Sequence, residues 1–373
     1  MSKALANFLQ SYQLPVDISD ADGENFADFF YTYLQQYAKG VAGVSQSPVI
    51  TQSSSNVGVL ASQESKAINE ISEFVGRILY KYLEGNPVAS YCIFEEMIDS
   101  ASLAKELLML DVIKINKKTF FFRAQKNYNA IEPVLGSHSW SKTASPTDLF
   151  HTPFNKRKRV GTNRFSVPGY PCLYLSSELH ASFREITQDA IIPLDCICLE
   201  NNRPLYIADI SPISKEIIQL CRDGKADFDV SNDLIKYAKI FPIIAACHTK
   251  IKYEYAYENE VKFKMEYIIP QLMLQWFQRY STYPIDGIKY LSCTSSNLIG
   301  EPLYNFIFIT HYSKGKIFCP KLSALFNASD VLTIGKPDGT KSIDAWLKEI
   351  EILLHSSHKK NLHELISNGH IAV

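Results

Sequence analysis

Apolar positions recur at three- and four-residue steps through the first third of the chain. Near residue 119 they give way to short aromatic and β-branched runs. Residues 8–14 and 26–37 carry the helical period, the second behind acidic residues that favour a helix start. Residues 65–84 carry it most clearly, with Ile68, Ile71, Val75, Ile78, Leu79 and Tyr82 on one stripe. Gly85-Asn86-Pro87 stops that helix, because glycine accepts a left-handed cap and proline cannot continue the turn. Another helix is expected over 88–110. Residues 40–62, rich in Gly, Ser, Val and Gln, hold no period and read as a loop or flexible link.

Past residue 119 the pattern predicts strands at Phe120-Phe121-Phe122, 172–176, 190–199, 205–210, 285–291, 303–310 and 316–319. Helical periods fall between them at 177–187, 232–247 (interrupted by Pro242) and 261–280, where Phe263, Tyr267, Leu274 and Phe277 form a core stripe. Many short strands with few helices favour α+β over a regular βαβ alternation. The expected organisation is a helical domain over 1–115, a sheet-based domain over 116–320 and a tail over 321–373 with one helix at 343–354.

Composition narrows the class. A chain of 373 residues can bury two cores, and a net charge of −1 gives no global pull toward nucleic acid or anionic membrane. The N-terminus lacks a basic head followed by an apolar run, so a signal peptide is not expected. The longest apolar runs, 240–247 and 267–274, fall short of the roughly 18 residues a membrane span needs. Eight cysteines without a CxxC pair suggest a reduced, cytoplasmic protein without structural zinc. His138, His151 and His248 lack zinc-ligand spacing, and GxGxxG, P-loop and GxSxG motifs are absent. Glu254, Glu258, Glu260 and Glu266 read as a helix entry and its solvated face.

Chemistry concentrates in residues 149–186, LFHTPFNKRKRVGTNRFSVPGYPCLYLSSELHASFREI. Lys156, Arg157, Lys158 and Arg159 form a basic run. Arg164 lies in a turn-rich piece with Pro168-Gly169, a strand with Tyr174 follows, and Glu185 sits near the end of the next helix. Taken singly, these are a solvated basic run, a core or rim tyrosine and an exposed glutamate. Their order is what carries information.

That order resembles the RES family, in its longer, helix-preceded form. The matching positions are Phe150-His151, Pro153-Phe154, Arg157, Arg164, Ser166, Pro168-Gly169, Pro171-Cys172-Leu173-Tyr174-Leu175 and Glu185. TFFFRAQ adds Arg123, and DGIKYLS adds Asp286-Gly287-Ile288, Tyr290 and Ser292. The resemblance implies an antiparallel β fold like that of ADP-ribosyltransferases, with peripheral helices. It also implies NAD+ as substrate, with water or phosphate as acceptor and no further cofactor or metal. A homodimer and restraint by an antitoxin or other regulatory protein are implied as well, with no direct nucleic-acid or membrane partner. YLEGNPVASYCIFEEMI is similar to the small helical domains found before RES domains. These are sometimes compared with RNA-cleaving modules, but residues 1–115 contain no histidine, so the expected role is regulatory or oligomerising.

The side chains suit such a substrate on their own terms. Guanidinium groups bind a pyrophosphate through paired donors, which makes Arg123 and Arg164 the first candidates and Arg157 a third. Cleaving the nicotinamide–ribose bond builds oxocarbenium character, as glycoside hydrolysis does. Glu185 is the expected partner of that charge, with Tyr174 as an aromatic wall and Ser292 as a hydrogen-bonding group. His151 is expected to be structural. Two rival readings are transfer of ADP-ribose to a macromolecule and a catalytically silent NAD- or partner-binding module.

Overall fold

The computed structural model describes residues 2–45, 55–100, 112–127, 138–186, 193–253, 261–279, 285–293, 302–335 and 339–368. The chain divides into two compact units, each assembled from separated stretches of sequence. Unit 1 comprises Met1–Asp111, Thr162–Phe165 and Ile210–Tyr280, and unit 2 comprises Val112–Gly161, Ser166–Asp209 and Ser281–Val373. The protein is an α+β chain, as its pattern predicts. Its units, however, do not follow the linear division at 115 and 320.

Unit 1 is built on the helices Ser2–Leu9, Phe26–Ser45, Ser55–Leu83, Pro87–Ser100, Phe228–Cys247 and Ile268–Arg279. The described parts of the 40–62 stretch, 40–45 and 55–62, are helical and not the loop that composition suggests. Phe26–Ser45 runs on through Gly40 and Gly43, and Ser55–Leu83 begins ten residues before the apolar stripe at 65. A helix with a strong stripe can extend over weak formers, because packing supplies the stability that propensity lacks. Ile68, Ile71, Val75, Ile78 and Leu79 are buried within the unit. The expected helix at 88–110 is seen over Pro87–Ser100, and the remainder lies outside the described residues.

Strand β1 (Val16–Ser19), not expected from the pattern, pairs in parallel with β8 (Thr249–Lys252). Its four residues alternate buried and exposed, a period too short to stand out in sequence. Pro242 does not break Phe228–Cys247. A proline there withholds an N–H from the carbonyl of Ala238, and the Tyr37 hydroxyl donates to that carbonyl instead (2.8 Å). The helix expected at 261–280 begins late, as a 3-10 turn over Met265–Tyr267 leading into Ile268–Arg279. Phe263 therefore lies ahead of the stripe, exposed and stacked on Tyr82 (6.0 Å). Glu266, expected on a solvated face, is buried and accepts from the Tyr253 hydroxyl (3.2 Å).

Unit 2 holds an 11-stranded mixed sheet. Its strands are β2 (Val112–Ile115), β3 (Phe120–Lys126), β4 (His138–Trp140), β5 (Leu173–Ser176), β6 (Leu194–Asn201) and β7 (Leu205–Asp209). With them come β9 (Gly287–Leu291), β10 (Tyr304–Phe308), β11 (Phe326–Ala328), β12 (Leu332–Ile334) and β13 (Lys360–Asn361). The main path runs β13-β11-β6-β3-β5-β10-β9-β7-β2, with β12 joining β6 to β4. Every pairing in it is antiparallel except β7 with β9.

Alternation divides the strands between two cores. Phe121, Leu173, Leu175, Ile197, Phe306 and Phe308 pack on one face. Phe122, Ala124, Cys196 and Cys198 pack on the other, with Leu179 and Phe183 of helix Leu179–Ile186 and Trp346, Leu347 and Ile350 of helix Ile343–Ser356.

Two expectations are corrected here. Residues 316–319 form no strand, because Gly315 (φ 76°) turns the chain and Pro320 opens a short helix. The segment after 320 is no appended tail, since β11 and β12 pair with β6 and helix Ile343–Ser356 covers the sheet. Gly287 sits where only glycine fits: a Cβ there would lie 2.4 Å from the carbonyl oxygen of Ile307.

Candidate functional site

Strand β5 organises the candidate groups of unit 2. It faces β10 along its whole length, but its ladder with β3 is a single register position, Phe122 with Ser176. Just past that position the guanidinium of Arg123 donates to the carbonyl of Tyr174 (3.2 Å). Burial pulls the Arg123 pKa down to about 10, so the group remains a cation at neutral pH. The Tyr174 hydroxyl is 3.0 Å from that of Ser166. Tyr174 and Ser176, two positions apart, share the face away from Leu173 and Leu175, with about 7 Å between them along the strand.

From Ser176 a chain of hydrogen bonds leads to Glu185. Ser176 Oγ donates to Oδ1 of Asn305 (2.9 Å), the residue paired with it on β10. The Asn305 amide then donates to Oε1 of Glu185 through a short hydrogen bond. Ser292 Oγ, just past β9, donates to the same oxygen (3.1 Å). Ser182 lies one turn before Glu185 on helix Leu179–Ile186 and meets Ser176 Oγ at 2.9 Å. Ser176, Ser182, Ser292 and Asn305 are buried, whereas Glu185 is exposed. The arrangement is a solvent-facing carboxylate with one oxygen held by buried donors. It can present negative charge to a cationic centre without first reorganising.

The helix carrying Glu185 is braced at its other end. Glu351 Oε1 accepts from the Leu179 backbone N–H (2.7 Å), Asp344 lies 3.3 Å from the His180 imidazole, and Trp346 meets Phe183 edge-on. All three braces come from helix Ile343–Ser356.

The remaining candidates have other partners. Arg164 belongs to unit 1, where its Nη1 donates to the carbonyls of Cys247 (3.1 Å) and Thr249 (2.8 Å). Its guanidinium lies 4.9 Å from the Tyr267 ring centre. It thus serves the carbonyl end of helix Phe228–Cys247, where a helix leaves acceptors unpaired. Beside it, burial raises the Glu266 pKa against the opposing charges of Arg164 and Lys264.

Arg157 stacks over Tyr312 (4.6 Å) and Phe154 (5.2 Å). It lines an open recess of about 480 Å³ with Asn155, Gly315, Lys316 and Ile317. His151 is buried and doubly bonded: its Nδ1 meets the Thr152 carbonyl (2.8 Å), and its Nε2 accepts from the Cys319 backbone N–H (2.9 Å). A ring that accepts at Nε2 is neutral, and burial, with a smaller push from Arg123, lowers its pKa to about 4. Asp286 is likewise structural, taking a paired contact from Arg203 (2.8 and 3.1 Å) and the backbone N–H of Tyr206.

The structure therefore brings Glu185 together with Ser292 and Arg123 together with Tyr174, all around β5. Asn305 is the residue that sequence reasoning missed. A signal was present: YNFIF places one amide inside an otherwise buried apolar strand, and a buried amide needs partners. Among the described residues no cluster of histidine, cysteine or carboxylate side chains could hold a metal ion, and no helix is long and apolar enough to cross a membrane.

The chain is similar to a Bacillus subtilis (strain 168) protein named "Putative toxin YopC", with 28% identity over 285 residues. The alignment covers 72% of this chain and 59% of that protein, so the chain spans less than two thirds of its relative's length. No family model matches the chain. No solved structure matches it either.

Proposed function

With its likeness to a protein named as a toxin for premise, we propose that this chain is an NAD+-cleaving enzyme acting as a toxin or as an antiphage or stress effector. The observation that carries the reading is the Glu185 carboxylate, held at Oε1 by Ser292 and Asn305 on the face of β5 that bears Tyr174. In this reading the bond between ribose C1′ and the nicotinamide nitrogen breaks, and its electron pair leaves with a neutral pyridine. Its departure leaves oxocarbenium character on the ribose, which the fixed carboxylate stabilises while water, giving up a proton to solvent, or phosphate attacks C1′. Tyr174 walls the nicotinamide, and Arg123, cationic at neutral pH, attracts the pyrophosphate. Arg164, whose Nη1 already serves two carbonyls of unit 1, is the weaker phosphate candidate. Arg157, lying over both Phe154 and Tyr312 at an open recess, offers a further cation.

The test is incubation of the full chain with NAD+ and separation of the products. Free nicotinamide with ADP-ribose identifies water as acceptor, a phosphorylated ADP-ribose identifies phosphate, and label on protein or nucleic acid identifies a macromolecule. Glu185→Gln keeps the shape of the side chain and removes its charge. Turnover should fall by about 10²–10³-fold, the range for losing one transition-state partner. Wild-type consumption of NAD+ by that variant would refute the assignment.

A further inference from the structure

We infer that Asn305 is the positioning residue for the Glu185 carboxylate, and that Ser176 sets the direction in which the Asn305 amide points. The inference rests on the functional reading given to Glu185. An asparagine amide can sit either way round, with its oxygen and nitrogen exchanged, unless a neighbour decides. Here two neighbours decide together. Glu185, a carboxylate, only accepts, so the group facing it must be the NH2. Ser176 Oγ donates to the opposite side, at Oδ1 (2.9 Å). Ser182 Oγ lies 2.9 Å from Ser176 Oγ, and its hydrogen can go to that oxygen or to the Phe122 carbonyl (3.3 Å). The circuit closes on itself, since Ser182 and Glu185 occupy successive turns of one helix.

The geometry also separates the roles of the two donors to Oε1. Ser292 sits at the end of β9 and its hydroxyl can rotate. Asn305 lies in β10 between two neighbouring strands, paired with Ser176 on one side and Tyr290 on the other, and is 2% exposed. A planar amide fixed by two strands cannot follow a moving carboxylate. It therefore fixes the rotation of the Glu185 side chain and favours its ionised form. The other titratable groups on the surrounding elements are Arg123 on β3, Tyr174 on β5, Lys289 and Tyr290 on β9, Cys293 beyond it, Tyr304 on β10, and His180 and Arg184 on the same helix. Asp344 and Glu351 stand at that helix's first turn.

The deciding variant is Asn305→Asp, which keeps the size of the side chain and the acceptor for Ser176 but turns an oxygen toward Glu185. Two carboxyls would then share the site, and one would stay protonated into the neutral range. The kcat for NAD+ cleavage at pH 7 should fall by about tenfold to a hundredfold. The acidic limb of the kcat profile should move up by about one pH unit or more, with KM changing much less. Ser176→Ala, which only frees the amide to turn, should move the same limb in the same direction by less. It also serves if the aspartate variant fails to fold.

Carbon-13 NMR titration of the Glu185 carboxyl, in wild type and in both variants, reads the same effect without turnover. A raised midpoint in Asn305→Asp or Ser176→Ala supports the inference even if wild type leaves NAD+ intact, an outcome that would sink the functional reading alone. Unchanged Glu185 midpoints and an unchanged acidic limb in the folded variants would overturn the role of Asn305.

Discussion

Replacing His151 by glutamine isolates one proton in the folding equilibrium. The imidazole is 1% exposed, accepts a backbone N–H at Nε2 and has its pKa lowered from 6.5 to about 4. In the unfolded chain it titrates near 6.5, so between the two values the unfolded state binds the extra proton. Acidification through that window therefore favours unfolding. The stability tied to the neutral ring is fully present above about pH 7.5 and is lost as pH falls toward 4. Linkage gives a loss of about 2 kcal/mol by pH 5 and about 3 kcal/mol by pH 4. Glutamine offers a donor and an acceptor but no titration. Whatever it costs at pH 8, the stability gap between wild type and His151→Gln should narrow by about 2 kcal/mol between pH 8 and pH 5. Urea unfolding of both proteins at several pH values measures this gap, and carboxylates common to both cancel in the difference. A gap that stays constant with pH would mean that the ring is not held neutral and that the Cys319 contact has been misread.

Three further substitutions probe the framework. Gly287→Ala forces a Cβ to within 2.4 Å of the Ile307 carbonyl and should cost about 3 kcal/mol or more, seen as a lowered urea midpoint. Tyr37→Phe leaves the Ala238 carbonyl facing Pro242 without its donor. It should destabilise unit 1 by about 1–2 kcal/mol, with faster hydrogen exchange confined to helix Phe228–Cys247. Glu351→Ala removes the acceptor of the Leu179 N–H and should cost about 1–2 kcal/mol. Under the proposed function it should also lower kcat without touching the carboxylate, which a turnover assay at constant fold would register.

Local pattern made most elements legible. The stripe from Ile68 to Leu79, the strand holding Tyr174 and the helix carrying Glu185 all stand where their periods put them. The Glu185–Ser292 contact was also anticipated, across more than a hundred positions, because the order of residue types resembled a known arrangement. What stayed hidden was non-local. Thr162–Phe165 and Ile210–Tyr280 count with the N-terminal helices, a partition that depends on packing between distant segments. Strands β11 and β12 are three residues each, too short for alternation to declare itself, and gain their meaning from pairing with β6. Arg164 shows one residue type fitting two roles. Its residue type fits a phosphate clamp, but the same guanidinium geometry fits two peptide carbonyls equally well.

The bracing of helix Leu179–Ile186 from Ile343–Ser356 bears on where the gene can tolerate damage. A stop codon between about residue 320 and the mid-340s would spare every residue that touches the proposed substrate and still silence the protein. The carboxylate-bearing helix would lose Glu351, Asp344 and Trp346 at one stroke. If the protein harms the cell that makes it, survivors of forced expression should carry truncating lesions throughout this late stretch. A domain transplanted with its end at residue 320 should be inert for the same reason.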